Sequence, residues 1–202
     1  MQTKVKICGM TDAATIQTAI DHKVDYLGFV FYPKSPRNLT PKQATLLTKN
    51  IPSHINKVAV LVNETDQFIE YIKNDFNTFQ LHGDEDLNRV KELKKKYNKK
   101  IIKAIKVTDE NSAKKFQQFE DEVDMFLFDS PAMEKSAKFN WQILQNLKIT
   151  KPYLIAGSIN IDNVDEVLKY NPYGIDVSGG VEKNRGVKCG DKIIKFLDKV
   201  KT

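Results

Sequence analysis

The chain has 202 residues, of which 41% are hydrophobic and 29% charged, and its 32 Lys and Arg outweigh 26 Asp and Glu for a net charge of +6. That length suits one domain burying on the order of 70% of its unfolded surface, and that balance excludes a disordered tail, a collagenous chain and a membrane protein. The longest apolar run, VAVLV at 58–62, falls far short of the roughly 20 residues that a bilayer span needs. Two cysteines make no disulfide framework and suit a reducing compartment. The start, MQTKVKICGM, has lysines where a signal peptide needs an apolar stretch. The expectation is a cytoplasmic protein with no leader removed and no membrane partner.

The positive excess has a local source, KELKKKYNKK at 91–100. It reads as the solvated end of a helix, where lysines favour the negative dipole end. It lacks the interleaved aromatics of a single-strand nucleic-acid binder, so no nucleic-acid partner is expected. The net field suits a small anionic substrate instead.

Short β-rich runs alternate with amphipathic segments along the whole chain. In order, strand and helix candidates pair off as 4–8 with 12–21, 25–31 with 41–50, 55–62 with 66–74, 78–82 with 85–97, 100–106 with 110–119, 124–129 with 140–147, 152–156 with 162–169, and 174–178 with 191–200. Thr11, Thr40, Thr65, Asn160 and Asp191 are placed as caps or first-turn acids. Pro41 follows Thr40, at a helical position where a missing N–H costs nothing. Strand then helix, eight times over, predicts a compact single-domain α/β chain, a (β/α)8 barrel covering residues 1–202. An open doubly wound sheet is the alternative, but eight strands without a long insertion favour closure.

Strand alternation sorts the side chains. Helices cover a barrel's outside, so Val5, Ile7, Phe126 and Phe128 are expected outward, and Lys6, Cys8, Asp129, Asp176 and Ser178 inward. Polar groups inside are costly unless paired. The first and eighth strands are neighbours in a closed barrel, which predicts a Lys6–Asp176 pair.

Barrel enzymes work at the C-terminal strand ends: Cys8, Asn63, His82, Asp129, Gly157 and Ser178, with Arg37 in the loop after the second strand. Cys8 alone reads equally as packing, but an ammonium one inward step below it would lower a thiol's pKa. Asp129 closes the apolar run MFLF and reads either as a turn residue or as one half of an acid–base pair. His82 reads as a donor or as a structural histidine, and Asn63 is equally ambiguous. Arg37 suits a planar carboxylate or the surface. The turns AGSIN at 156–160 and SGGVE at 178–182 sit after the last two strands, the usual phosphate site of this architecture. The His and Cys residues fall into no metal-ligand spacing, so no metal is expected.

With these residues in view, the chain resembles the phosphoribosylanthranilate isomerase family of tryptophan biosynthesis. The matching stretches run in order from end to end: KICGMT at 6–11, DYLGFVFYPKSPR at 25–37, VAVLVNE at 58–64, QLHGDE at 80–85, LFDS at 127–130, AGSINIDNV at 156–164, DVSGGVE from 176 and RGVK to 188. The resemblance implies a nearly minimal (β/α)8 barrel, an Amadori rearrangement and no cofactor. It places Cys8 as general base, Asp129 as general acid and Arg37 on the anthranilate carboxylate. His82 and Asp176 fall on substrate-binding pocket positions. Gly157, Ser158, Ser178, Gly179 and Gly180 fall on the phosphate cradle. The implied partner is a small phosphosugar, and the chain is expected as a monomer or homodimer. There are departures: SPAMEKSAKFNW at 130–141 has none of the family's glycines, Gly179 stands where serine is usual, and Cys189 often is aspartate. Cys189 reads as an incidental thiol, with Asp191 capping the last helix.

The rearrangement needs one acid to open the ribose ring and one base to take the proton at C2. The first and sixth strands stand three places apart around the ring, roughly 13 Å between backbones. A basic nucleic-acid binder and an indole-glycerol-phosphate synthase barrel are the rivals. The second would need catalytic lysines with a glutamate, and no matching set is found.

Overall fold

The computed structural model describes residues 2–131 and 139–201. Eight parallel strands close in chain order into a barrel: β1 Lys4–Cys8, β2 Tyr26–Phe31, β3 Asn56–Leu61, β4 Thr78–Leu81, β5 Lys100–Lys106, β6 Met125–Asp129, β7 Tyr153–Ile155 and β8 Gly174–Val177. β8 closes on β1 with Lys6 opposite Asp176. Helices α1 Ala13–Asp21, α2 Pro41–Thr48, α3 Asp66–Ile72, α4 Leu87–Tyr97, α5 Glu110–Lys114, α6 Val164–Leu168 and α7 Gly190–Lys201 follow strands one to five, seven and eight. After β6 the expected helix is a 3₁₀ segment, Trp141–Asn146, and α5 also runs on as 3₁₀ over Lys115–Phe119.

The strand alternation is visible as two apolar layers. Val5, Ile7, Phe126 and Phe128 pack outward with the helices. Cys8, Val58, Val60, Ile102, Leu127 and Leu154 fill the barrel interior. Lys6 is fully buried among them, and its Nζ bonds Asp176 at 2.9 Å as expected.

Some local expectations hold and others are corrected. Asp12, not Thr11, caps α1, accepting from Thr15 N–H; the longer reach of a carboxylate makes it the better acceptor there. Thr40 and Thr65 cap α2 and α3. Asn160 accepts from the N–H groups of Asp162 and Asn163, an Asx turn ahead of the cap position that Asn163 fills. Glu85 lies outside α4, which Asp86 caps. A short hairpin, β9 Glu182–Asn184 with β10 Val187–Lys188, interrupts the connection from β8 to α7. Asp191 stands in the first turn of α7. The glycine-free stretch after Asp129 falls largely on residues 132–138, outside the described residues.

Candidate active site

Ten of the eleven residues singled out for the site, all except Asn63, line one pocket of about 780 Å³ at the C-terminal ends of the strands. A smaller cavity of about 180 Å³, lined by Tyr26, Thr78 and Tyr173 among others, holds none of them.

Cys8 ends β1 with its side chain inward and 9% of its surface exposed. Gly28 lies beside it on β2: a Cβ there would stand 3.1 Å from Cys8 Sγ and 3.2 Å from Lys6 Nζ. The glycine therefore makes room for thiol and ammonium together. The expected lowering of the thiol pKa is not found. Burial pushes it above the usual thiol value, outweighing the pull of Lys6; Asp176 adds to the rise, and Lys188 opposes it. Burial alone would lower the pKa of Lys6, but Asp176 and Cys8 hold it above the ordinary lysine value.

Asp129 ends β6, and 24% of its side chain opens into the pocket. Burial, and next the carboxylate of Asp176, lift it to about 7 against the Ser130 N–H, Lys6 and Lys106. His82 follows β4, with its Nε2 3.5 Å from Asp129 Oδ2. Burial and the ammonium groups of Lys6, Lys106 and Lys103 hold His82 down at about 4, so its ring is neutral. Asp176 is thus engaged with Lys6 at the pocket floor.

Arg37 lies across Gly9, whose φ is +79° and where a Cβ would meet Arg37 Cδ at 2.3 Å. Its Nε and Nη2 donate to the two oxygens of Glu182, at 2.6 and 2.8 Å. Lys188 donates to the same carboxylate at 2.8 Å, and Gly186 N–H at 3.0 Å. Against the cost of burial, these contacts hold Glu182 at about 2. Lys188 Nζ also bonds Ser178 O and Oγ, while Ser178 Oγ donates to the carbonyl of Cys8 at 3.0 Å. Glu182 and Lys188 were missed as site residues. Their only trace in the sequence is membership of the matching stretches at 176–188, because the hairpin that folds them under Arg37 has no periodic signature.

The two glycine turns face each other across the rim. Gly157 and Ser158 have consecutive positive φ values of 91° and 54°, a left-handed backbone that glycine adopts freely and a serine seldom does. Gly180 approaches the first turn so closely that a Cβ would stand 2.1 Å from Ile159 O. Gly179 and Gly180 open a 3₁₀ turn. Asn63 has a structural role: its N–H donates to Glu85, and its Oδ1 accepts from Asp84 N–H. Among the described residues no group of three or more His, Cys, Asp or Glu is arranged to hold a metal, and no helix is long and apolar enough to cross a membrane.

A closed (β/α)8 barrel with titratable side chains and paired glycine turns in one pocket at the C-terminal strand ends is built as a barrel enzyme. Residues 5–199 match the family described as N-(5'-phosphoribosyl)anthranilate (PRA) isomerase. The N-(5'-phosphoribosyl)anthranilate isomerases of Staphylococcus aureus (strain MRSA252) and Paracoccus denitrificans are 37% and 35% identical to this chain, covering 98% of it and 97% and 96% of their own lengths. The solved phosphoribosyl anthranilate isomerase of Thermotoga maritima superposes with a TM-score of 0.89 at 29% identity, covering 98% of each chain. A second solved isomerase, in complex with reduced 1-(o-carboxyphenylamino)-1-deoxyribulose 5-phosphate, superposes at 0.86 with 29% identity and 98% coverage of each. The chain belongs to the N-(5'-phosphoribosyl)anthranilate isomerase family. Its activity is that isomerisation, a step of tryptophan biosynthesis.

Proposed function

We propose that Cys8 is the general base and Asp129 the general acid of the Amadori rearrangement of N-(5'-phosphoribosyl)anthranilate to 1-(2-carboxyphenylamino)-1-deoxyribulose 5-phosphate. The observation that carries this reading is one pocket shared by a partly exposed carboxyl near neutrality, a thiol, the Arg37 guanidinium and the two glycine turns. Asp129 protonates the ring oxygen while the anilino nitrogen pushes, and the ribose opens to a Schiff base. Cys8 thiolate then takes the proton from C2, and the enolamine relaxes to the ketone. Neither step needs an electron sink beyond that nitrogen, so no cofactor or metal enters.

The substrate ends are held apart, and orientation supplies much of the rate. The Nε–Nη2 edge of Arg37 is given to Glu182, so the anthranilate carboxylate meets the other edge, Nη1–Nη2. The phosphate sits between Gly157–Ser158 and Gly179–Gly180, met by backbone N–H groups. Ser178 contributes through its place in that turn, since its hydroxyl is engaged with Cys8 and Lys188. His82 and Asp176 act from beneath the sugar, His82 toward the acid and Asp176 by neutralising Lys6. A solved relative bound to a reduced phosphosugar analogue supports a small-molecule partner of this kind. All these residues come from one chain, so a monomer is complete; a homodimer, as in the dimeric Thermotoga maritima relative, would hold two sites. An unbridged reacting thiol suits the reducing cytoplasm.

The test follows loss of anthranilate fluorescence on turnover. Cys8→Ser and Asp129→Asn should each lower kcat by about 10²-fold or more, the usual scale for a general acid or base. Near wild-type turnover in both would refute the assignment.

A further inference from the structure

One inward step below His82 lies a buried polar side chain that neither packing nor the substrate anchors account for. Gln80 points into the barrel from β4 and is 1% exposed. Its partners in register, Val60 and Ile102, are apolar. A methionine would fill this layer, yet the amide stands here with its Oε1 buried and without a hydrogen-bond partner. Such an orphan is unfavourable for folding and asks for a functional reason.

The other end of the amide supplies one. Gln80 Nε2 lies 2.9 Å from Nδ1 of His82, two residues on and on the same strand face. An amide NH₂ only donates, so Nδ1 is the acceptor in this contact. The single proton of the neutral ring then sits on Nε2, the nitrogen 3.5 Å from Asp129 Oδ2. With an N–H facing Oδ2, the carboxyl proton of Asp129 belongs on Oδ1, turned away from His82. The opposite tautomer would present a lone pair to Asp129 and draw the acid's proton into an O–H···N contact.

We propose that Gln80 is a positioning residue for the acid: it sets the His82 tautomer whose Nε2–H faces Asp129, and so keeps the transferable proton on the oxygen directed at the sugar. This rests on Asp129 being the acid. As the proton leaves, the contact from Nε2–H becomes charge-assisted and strengthens. The other groups acting on Asp129 are Lys6 from β1, Lys106 from β5, Asp176 from β8 and the Ser130 N–H.

The test reads the tautomer directly. Long-range ¹H–¹⁵N spectra of the ¹⁵N-histidine-labelled protein, with His82→Gln to assign the signal, distinguish the protonated ring nitrogen. The wild type should carry its proton on Nε2. Gln80→Glu, which only accepts, should move it to Nδ1. Gln80→Met, of similar length and without charge, should give both tautomers. In Gln80→Met kcat should fall by up to about 10²-fold, the scale for a misplaced reacting group, with KM within about twofold if the anchors are untouched. The limb of kcat/KM near pH 7 should also move upward, because Asp129 loses a donor to its charged form. A wild-type proton on Nδ1, or a Gln80→Met enzyme with unchanged tautomer and kcat, overturns the proposal. If Asp129→Asn is inactive while Gln80→Met turns over normally, Gln80 alone is misassigned; if Asp129→Asn turns over normally, the acid reading fails with it.

Discussion

Burial raises both Cys8 and Asp129, leaving the carboxyl at about 7 and the thiol above the usual thiol value. A base that ionises after its acid is competent only in the minor microstate, thiolate with carboxylic acid. Its population rises with pH up to the carboxyl pKa, stays level while the two terms cancel, and falls above the thiol pKa. The expected kcat/KM profile climbs to about pH 7 and declines only at the alkaline end. A decline beginning at pH 7 would show the thiol ionising first. The same raised carboxyl works against the fold. Its unfolded value lies near 4, so the destabilisation is absent below that pH, grows between 4 and 7, and is complete above 7. Asp129→Asn should therefore raise Tm at pH 8, gain nothing below about pH 4, and cost activity at both. Arg37→Ala should raise KM more than it lowers kcat, because it removes a carboxylate anchor. It also strips Glu182 of a bidentate partner, leaving that buried carboxylate with Lys188 and the Gly186 N–H alone, so part of any stability loss arises there. An unaltered KM would return Arg37 to a structural role.

The elements hold the site through the connections after the strands. Lys103 of β5 reaches the turn after β4, where its Nζ bonds Glu85 at 2.7 Å and Gly83 O at 3.0 Å. Glu85 in turn accepts from the N–H groups of Asn63 and Gly83. Both charged side chains are 4% exposed, so this pair ties the connections after β3 and β4 to β5, next to His82. Lys103→Met would leave Glu85 a buried, uncompensated charge, with an expected loss of about 3–5 kcal/mol. The double variant Lys103→Met/Glu85→Gln should recover part of it. Urea midpoints at constant m-value measure both, and equal loss in single and double variants would reject the charge-based account. Glu85 also marks where sequence reading stops. Its spacing suits the start of a helix, and only the closed barrel brings Lys103 to it. Asn63 likewise offers a strand-end polar group to the eye, and its structural role emerges only when two connections meet.

Across the whole molecule, closure brings the two ends of the chain together. Asp25 accepts from Val5 N–H at 2.8 Å, pairs with Lys4 at 2.8 Å and also with Lys201 of α7. The last helix buries Ile193, Phe196, Leu197 and Val200 over this seam. The proposed phosphate cradle spans the turns after β7 and β8 and so exists only in the closed barrel. Inorganic phosphate should therefore raise Tm, by about 2.7 kcal/mol of added stability at a hundredfold excess over Kd, which is several degrees for a chain of this size. It should also compete with substrate. A melting point indifferent to saturating phosphate would place the substrate's phosphate elsewhere.

What the sequence alone determined is what short-range periodicity and covalent order carry. Eight strand–helix repeats define the barrel, and period-two alternation sends Phe126 and Phe128 outward and Cys8 and Asp129 inward. Strand ends followed by glycine locate the rim, and adjacency of the first and last strands pairs Lys6 with Asp176. The tertiary structure decided what depends on summed surroundings. Lys6 beside Cys8 reads as a depressed thiol pKa, but the fold buries the thiol so far that desolvation prevails. Arg37 reads as a bare guanidinium fork, but the hairpin places Glu182 and Lys188 against it. Gln80 stands in the sequence only as part of a matching stretch, and its relation to Asp129 passes through the ring of His82 and across the barrel. Alternation and order along the chain are local properties, whereas a pKa or an orphaned oxygen is set by every group packed around it, and those groups arrive from strands that sequence order keeps far apart.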